Sequence, residues 1–385
     1  MSLPIVILTH VVNRAVIDGF VPAARQLGHE VVLVTDQGQA HRERLADTRV
    51  LECDVFNPIA VLDLLTEQAI RPAAVFSNSD HLQTATAIVA DALGLPTKPW
   101  QVCYRAKDKL RMRERLAELG LPSVWSRLLL PGEPAAADWP YPLVVKPSQG
   151  VASLDVSRVD TQTGLTALLA GRGTAPLLLE QYMAGPLFTL ETLGDGRDLV
   201  AVGGFDVSLS APPHFIETAA HWQGDISRAW QQTALEQVRA FGVGFGVCHS
   251  EFILTDTGPV LVEINYRSIG DGREFLLDEL LPGGWFRPIL QLHLGEPLPP
   301  LAPASRHAAI RYLVAESEGR LTVPPAPASR PGLSHVPLRR QGDRIRLSHS
   351  NKDYLGVLYL QADSAAALNT LQEQVEAELK WEIEA

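Results

Sequence analysis

The stretch FGVGFGVCHSEFILTDTGPVLVEINYRSIGDG, residues 241–272, decides how this chain folds. Within it, two apolar runs rich in β-branched residues, Val247–Leu254 and Val260–Tyr266, flank the turn signal Asp-Thr-Gly at 256–258. Runs of this kind form strands, and a short loop containing glycine between them is typical of a β-hairpin. The sequence therefore predicts a two-stranded β-hairpin here.

The turn sets the pairing of the two strands. A three-residue loop with glycine in the left-handed position pairs Thr255 with Pro259. The same register sets Glu251 opposite Glu263. Two carboxylates at that separation repel each other by roughly 4 kcal/mol at an effective dielectric constant near 20. Either solvent or a cation has to relieve this repulsion.

One face of the hairpin carries a set of polar side chains. Because strand side chains alternate, Glu251, Glu263 and Asn265 point to the same side as Arg267. Carboxylate and amide oxygens are preferred ligands of magnesium, which also binds substrate phosphates. These three residues are therefore candidate magnesium ligands, and Arg267 suits a phosphoryl group beside the metal. The alternative is a solvated polar face, and His249, opposite Asn265, receives no role.

Composition limits the class of protein. A chain of 385 residues with 46% apolar and 20% charged residues is typical of a globular enzyme of two or three domains. Its net charge of -11 argues against nucleic-acid or anionic-membrane partners, since that affinity comes from lysine and arginine. Cys53, Cys103 and Cys248 are widely spaced, which fits a reducing compartment. No apolar run approaches membrane-spanning length, so we expect a cytoplasmic protein.

The N-terminal segment has the rhythm of a doubly wound α/β sheet. Strands are predicted at Pro4–Leu8, Val31–Thr35 and Ala73–Ser77, with a helix ending near Gly28. No G-x-G-x-x-G follows the first strand, which excludes the dinucleotide fingerprint. Ser77–Asp80 leaves the third strand at its carboxyl end, where such sheets bind ligands. A plain helix cap explains the same residues and is the favoured interpretation.

The middle of the chain contributes further candidates. A helix is predicted at Asp108–Pro122, with its cations spread around it, so that most are expected to face solvent. Lys146 ends a strand and is followed by small and hydroxyl residues, an arrangement that suits a phosphate. Further on, Glu217 and His221 stand at i and i+4 if their segment is helical, which makes them candidate substrate residues.

The C-terminal segment reads as a small α+β unit. A proline-rich linker at 297–303 precedes strands around Ala308–Leu313, Ile345–Leu347 and Val357–Leu360. A helix over Ala365–Lys380 completes the unit.

In this order, the pieces resemble the ATP-grasp superfamily, in particular its carboxylate-amine ligase branch. The resemblance covers nearly the whole chain through the motifs ARAKDKLRMRERLAELGLP, PLVVKPSQG, LLLEQYMAGP and CHSEFILTDTGPVLVEINYRSIGDG. It implies a multidomain α/β and α+β fold. A doubly wound pre-ATP-grasp domain would span 1–100, the ATP-grasp domain 101–300, and a small α+β domain 301–385.

The resemblance also implies roles for individual residues. Lys109 and Lys146 match the two lysines that contact ATP phosphates, and the loop from Ser148 to Ser153 matches the flap over them. Arg267 matches the arginine that steadies the transferred phosphoryl group. The remaining matches are the adenine hinge, Glu180, Gln181 and Tyr182, and the magnesium ligands Glu251, Glu263 and Asn265.

One position departs from the family pattern. Members often carry an acid shortly after the hinge glycine to bind ribose, whereas Gly185 is followed here by Pro-Leu-Phe. Glu191 is the candidate replacement. For the substrates, Arg267 and Arg273 are expected to form a local cationic patch.

The resemblance implies an ADP-forming ligase with ATP and Mg²⁺ as cofactors. Such an enzyme activates a small polar carboxylic acid as an acyl phosphate and joins it to an amine or amino acid, for example in peptide or siderophore biosynthesis. Two alternatives remain open: an ATP-binding regulator without turnover, and an ATP-grasp carboxylase using a nucleophile other than an amine. We expect a homodimer, the commonest soluble assembly.

Overall fold

The computed structural model describes residues 2–147, 156–171, 173, 175–211, 215–348 and 350–385, which form four β-sheets. The strands are β1 (Ile5–Leu8), β2 (Val31–Thr35), β3 (Arg49–Glu52), β4 (Ala74–Phe76), β5 (Ser126–Leu129), β6 (Leu143–Lys146), β7 (Ser157–Val159), β8 (Leu177–Gln181), β9 (Leu187–Asp195), β10 (Leu199–Gly203), β11 (Phe205–Leu209), β12 (Glu217–Trp222), β13 (Phe245–Thr255), β14 (Gly258–Asn265), β15 (His307–Leu313), β16 (Gly319–Val323), β17 (Leu333–Pro337), β18 (Arg344–Ile345), β19 (Gly356–Ala362) and β20 (Glu382–Glu384).

The helices lie between and around these strands. They are α1 (Val21–Gln26), α2 (Gly38–Arg42), α3 (Pro58–Glu67), α4 (Gln83–Ala92), α5 (Trp100–Lys107), α6 (Lys109–Glu118), α7 (Gln162–Ala170), α8 (Asp225–Phe241), α9 (Arg273–Leu280), α10 (Phe286–His293) and α11 (Ala365–Glu378). A π-helical turn, Ala15–Phe20, leads into α1, and a 3₁₀ turn, Asp80–Leu82, leads into α4. None of the helices in the described part of the chain combines the length and apolar character needed to cross a bilayer.

The N-terminal sheet is parallel, with strand order β3-β2-β1-β4, as the doubly wound prediction requires. Its central strands are fully buried runs of Ile, Val and Leu, which is the pattern of a sheet covered on both faces. The helix after β1 ends before Gly28, whose φ of 81° only glycine adopts without strain. The edge strand β3 escaped prediction because its RVLE sequence is polar at both ends and mostly accessible.

The other sheets are built largely from antiparallel pairs. A small sheet has the order β5-β8-β6-β7. The large sheet has the order β14-β13-β9-β11-β12-β15-β19-β17, with β10 paired to β9. The strands predicted for the C-terminal segment are present, but β15 and β19 join the large sheet, and only β18 belongs to the separate β18-β16-β20 sheet. The division into domains at residues 100 and 300 stays a prediction.

The hairpin β13–β14 has the predicted register at its functional end. His249 faces Asn265 and Glu251 faces Glu263. The predicted turn pairing is wrong, because Pro259 pairs with Leu254. A β-bulge at Val262 adds one residue to β14 and brings the two glutamates back into line.

The main core joins the N-terminal sheet to the large sheet through α10. The ring of Phe286 on α10 lies 5.0 Å from the ring of Phe20 and against Gly19, where a Cβ atom would come within 2.4 Å of it. Trp285 is fully buried beside them. Burying each such aromatic side chain contributes about 1.5–3 kcal/mol. This packing brings the carboxyl edge of the N-terminal sheet against the hairpin.

Candidate active site

Two adjoining cavities lie on either side of the two paired glutamates. The outer cleft, about 170 Å³, lies between the small sheet and the hairpin, and the inner cavity, about 300 Å³, lies between the hairpin, the N-terminal sheet and the start of α9. The residues that line both are Glu217, Glu251 and Glu263. The acid pair predicted from the hairpin register is therefore at the junction of two ligand-sized spaces.

Cations relieve the repulsion between the facing glutamates. Lys109 Nζ lies 2.8 Å from Glu263 Oε1, and His249 Nε2 lies 3.3 Å from Glu251 Oε1. Burial opposes the charge of His249, yet the neighbouring carboxylates of Glu191 and Glu251 raise its pKa to about 9. The pKa of Glu251 is lowered in turn: burial works against its ionisation, but the hydrogen bond from His249 and the charges of His249, Arg273 and Lys109 together outweigh it. Glu251 is thus held as an anion, and Lys109 places a cation against Glu263.

The chemistry of this donor set fits a magnesium ion. Glu251 and Glu263 supply carboxylates, and the amide nitrogen of Asn265 lies 3.5 Å from Glu251 Oε1, so an amide adjoins the pair. No cluster of three or more His, Cys, Asp or Glu side chains suited to a metal occurs among the residues described above. Two carboxylates with an amide form an incomplete cage, which is the kind that magnesium completes with water and phosphate oxygens.

A buried charge cluster forms one wall of the outer cleft. Glu180 lies between two cations, with Lys146 Nζ at 2.5 Å and Arg113 Nε at 2.7 Å. Burial alone would raise the pKa of Glu180, but Arg113 and Lys146 lower it to about 2. Burial lowers the pKa of Lys146, and Glu180 works against that shift. The predicted phosphate lysine is therefore paired with the first residue of the predicted hinge.

Arg113 is a buried member of this charge cluster that the sequence interpretation missed. Its guanidinium also donates to the carbonyls of Leu261 and Val262 at the hairpin bulge. Most cations around this helix are at least partly exposed, as expected, but Lys109 and Arg113 are buried. The available signal was their i, i+4 spacing, which puts both on one face of α6.

The predicted adenine hinge borders the outer cleft. Gln181 and Tyr182 line it, and the Tyr182 ring lies 6.2 Å from that of Phe215 in a stacked arrangement. The guanidinium of Arg158 lies 4.3 Å from the Tyr182 ring centre on its face. The flap positions from Ser148 to Ser153, including both serines, fall outside the described residues.

Glu191 does not replace the missing ribose ligand. It is 0% exposed in the central strand β9, where it accepts from Thr189 Oγ1 at 3.0 Å and contacts His249 Nδ1 at 2.8 Å. It lines neither cavity. Pairing opposite His249 sets Glu191 on the same face as that histidine, but its carboxylate is buried against His249 and Thr189 and does not reach the cleft, so the prediction is wrong. Glu191 instead supports the histidine that contacts Glu251.

Glu217 and His221 do not form a pair. Their segment is the strand β12 rather than a helix, and a bulge at Thr218 puts the two side chains on opposite faces. His221 Nε2 contacts Gln372 of α11 at 2.8 Å, so its predicted substrate role is not supported. Glu217 lies at the cavity junction, with Oε2 2.9 Å from Arg273 Nη2, and its substrate role stays a prediction.

The C-terminal segment holds Glu217 in position. The backbone nitrogen of Glu217 donates to Asn351 Oδ1 at 3.0 Å, and the Tyr354 hydroxyl donates to its carbonyl at 3.0 Å. Burial raises the pKa of the Glu217 carboxyl although Arg273 opposes the shift. These contacts bring the last part of the chain to the site.

Arg267 faces the carboxyl end of the N-terminal sheet. It donates to Asn265 Oδ1 at 3.2 Å, and its Nε lies 3.9 Å from Asp80 Oδ1. Asn78 and Asp80 line the inner cavity, and Ser79, the residue before the 3₁₀ turn, makes no side-chain cap. The favoured helix-cap interpretation of Ser77–Asp80 is therefore wrong, and the ligand-edge alternative agrees with the structure.

No family model matches the chain. It is 24% identical to protein y4rH of Sinorhizobium fredii, an uncharacterized protein, over 94% of the chain and 80% of y4rH. It is 29% identical to carnosine synthase 1 of Gallus gallus over 64% of the chain, and 33% identical to a D-alanine–D-alanine ligase of Ectopseudomonas mendocina over 31% of the chain. The chain spans only 30% and 38% of these two enzymes.

Solved structures cover the whole chain. L-amino acid ligase from Bacillus licheniformis matches with a TM-score of 0.81 at 19% identity, over 100% of the chain and 99% of the ligase. Carboxyaminoimidazole ribonucleotide synthase from Aspergillus clavatus, complexed with ATP, matches with a TM-score of 0.75 at 17% identity, over 97% of the chain and 98% of the synthase.

These comparisons establish the class: the chain has the ATP-grasp fold, as its motifs predicted. Within that fold, the proteins it resembles are ligases, including an L-amino acid ligase in structure and a D-alanine–D-alanine ligase in sequence. The multidomain α/β architecture expected from the motifs is confirmed with it.

Proposed function

We propose that this protein is an ATP-dependent, ADP-forming ligase that joins a carboxylic acid to an amine. The observation that carries the proposal is the junction of two cavities at Glu251 and Glu263. Buried lysines border the outer cleft and arginines border the inner cavity. Nucleotide and acid would therefore meet at the acid pair, where phosphoryl transfer requires a metal and positive charge.

The outer cleft is the proposed nucleotide site. Gln181 and Tyr182 would border adenine, while Lys109 and Lys146 would contact phosphates, as would Ser148 and Ser153 by family resemblance. Lys109 is paired with Glu263 in this structure. A magnesium ion held by Glu251, Glu263 and Asn265 would neutralise phosphate charge at the junction. Lys109 could then exchange its carboxylate partner for a phosphate oxygen.

The inner cavity is the proposed site of bond formation. A carboxylate oxygen attacks the γ-phosphorus of ATP, the bond to the bridging oxygen breaks, and ADP leaves. The amine nitrogen then attacks the acyl carbon, the C–O bond to phosphate breaks, and the amine releases a proton. Arg267 faces this space and would stabilise charge on the transferred group. No covalent bond to the protein is needed.

The substrate class proposed is a small polar acid with an amine or amino acid, in a pathway such as peptide or siderophore assembly. Polar side chains of Asn13, Asn78 and Asp80 along the inner cavity support a polar substrate. We further propose that the enzyme works in the cytoplasm as a homodimer.

Release of ADP tests the proposal. Purified protein, ATP and Mg²⁺ are incubated with pooled acids and amines, and ADP is measured with each pool omitted in turn. We expect ADP release only when both pools are present. Glu263→Gln removes a metal ligand and should reduce the rate by at least about 100-fold. The matched control Glu279→Gln changes an exposed glutamate on α9 that lines neither cavity.

The alternatives give different results in the same assay. ATP binding without ADP release under any pool would support the regulator. ADP release that depends on bicarbonate and not on an amine would support the carboxylase. Unchanged turnover in Glu263→Gln would refute the assignment of the site.

A further inference from the structure

An arginine and a glutamate with unmet hydrogen-bonding atoms both lie on the inner cavity. Arg273 and Glu274 begin α9, are 2% and 5% exposed, and both line the cavity. Among the described residues, Arg273 Nε and Nη1 and Glu274 Oε2 have no hydrogen-bond partner. Buried polar atoms are nearly always satisfied in native proteins, so a cluster of three requires an explanation.

The two side chains do not satisfy each other. Arg273 uses Nη2 on Glu217 at 2.9 Å, with Asp271 more distant at 3.9 Å. Glu217 is itself fixed through its backbone by Asn351 and Tyr354. The ion pair with Glu217 anchors one end of the guanidinium, while Nε and Nη1 stay available for an acceptor. An arginine so fixed suits a carboxylate, whose planar oxygens match its donors.

Glu274 supplies the complementary group. It follows Arg273 in α9, and Asp271, in the loop before this helix, adds a second carboxylate at the cavity. Asp271 has a φ of 57°, a strained conformation for a non-glycine residue that is often found at ligand sites. The Tyr312 hydroxyl donates to its carbonyl at 3.1 Å and holds this conformation.

We propose that Arg273 and Glu274 form a receptor for a free α-amino acid, with Arg273 binding its carboxylate and Glu274 its ammonium group. A ligand carrying both charges satisfies both unmet sets, whereas a simple acid or a simple amine satisfies only one. The inference rests on the proposed function, since it identifies the class of one substrate of that ligase. It does not require that the amino acid reacts in order to bind.

Calorimetry without ATP or magnesium tests the receptor directly. Each proteinogenic L-amino acid is titrated into the full-length protein, and the tightest binder is measured again as its methyl ester and as its N-acetyl derivative. Each derivative lacks one of the two charges, so we expect about tenfold or greater loss of affinity for both. No binding by any amino acid, or equal binding by the derivatives, would overturn the proposal.

Two variants assign the charges. Arg273→Lys keeps a cation for Glu217 but loses the planar donors. It should lower the affinity for the amino acid about tenfold and leave the affinity for the methyl ester unchanged. Glu274→Gln should lower the affinity for the amino acid and leave the affinity for the N-acetyl derivative unchanged. The matched controls are Arg287→Lys, on the exposed side of α10, and Glu279→Gln. If Arg273→Lys fails to fold by circular dichroism, Glu274→Gln alone decides, because its side chain is nearly isosteric.

The binding assay and the ADP assay can fail independently. Amino-acid binding that depends on both charges, without ADP release in any pool, would support the receptor and refute the ligase. ADP release that is unaffected by both variants, together with absent amino-acid binding, would refute the receptor and leave the ligase standing.

Discussion

The two cavities balance their charges differently. In the outer cleft, Lys146 and Arg113 share Glu180, and Lys109 has Glu263, so the buried charges are paired within the protein. On the inner cavity, three atoms of Arg273 and Glu274 have no partner in the described part of the chain. A ligand of the outer cleft must therefore replace existing ion pairs. A ligand of the inner cavity instead hydrogen-bonds to atoms that have no partner. The first arrangement suits a common cofactor, and the second selects a particular substrate.

The largest expected effect comes from breaking the compensation in the outer cleft. Glu180→Gln leaves Lys146 and Arg113 buried beside a neutral amide and should destabilise the protein by about 3–5 kcal/mol. Urea unfolding at pH 7 measures this. Glu118→Gln, in an exposed ion pair with Arg115 at 3.0 Å, serves as the control and should cost less than about 1 kcal/mol. If Glu180→Gln lowers the free energy of unfolding by less than about 1 kcal/mol, Glu180 does not compensate the buried charges of Lys146 and Arg113.

The same cluster predicts that the stability of the fold decreases at acidic pH. The pKa of Glu180 is depressed to about 2 in the folded protein, against an ordinary value of 4.5. Its contribution to stability is therefore present above pH 4.5 and is lost as pH falls toward 2. Over that pH range, the free energy of unfolding of Glu180→Gln should change less with pH than that of Glu118→Gln.

A smaller effect of the opposite sign is expected in the inner cavity. Burial, together with the charge of Asp271, raises the pKa of Glu274 to about 7. The folded protein then binds a proton that the unfolded chain has lost, so stability falls as pH rises from 4.5 through 7. Glu274→Gln should be more stable than wild type at pH 8 by about 3 kcal/mol, with little difference at pH 4.5. Urea midpoints at the two pH values measure this, and an equal shift at both would contradict it.

The smallest effect concerns the support of the inner cavity. Tyr354→Phe removes the hydrogen bond to the Glu217 carbonyl and should cost about 1 kcal/mol. Tyr104→Phe, at an exposed tyrosine, is the control. If the support matters for the receptor, amino-acid affinity should also fall in Tyr354→Phe. Unchanged stability and affinity would show that Glu217 is held by other contacts.

Sequence patterns predicted the parts of this site that depend on local rules. Alternation along two strands is local, so the pairing of Glu251 with Glu263 was correct. The turn pairing of Thr255 was wrong because the bulge at Val262 cannot be read from alternation. The carbonyls at that bulge bind Arg113, a residue about 150 positions earlier in the chain.

Other errors have the same origin in long-range structure. Glu191 was expected in the cleft, but it is buried because β13 and β11 flank β9 in the sheet, and this order cannot be predicted from local sequence. The i, i+4 spacing of Glu217 and His221 is compatible with a helix and with a strand, and only the sheet decides between them. The pairing of Asp80 with Arg267 joins distant segments and leaves no local signal.

The contact between Arg113 and the bulge also affects how this molecule can associate. β14 is the outermost strand of the large sheet, and an exposed outer strand offers its free backbone groups to another chain. The carbonyls of Leu261 and Val262 are occupied by Arg113, and the bulge interrupts the regular spacing that a new strand would need. A second copy is therefore blocked from extending the large sheet along the middle of this edge, and a dimer would have to form through another surface.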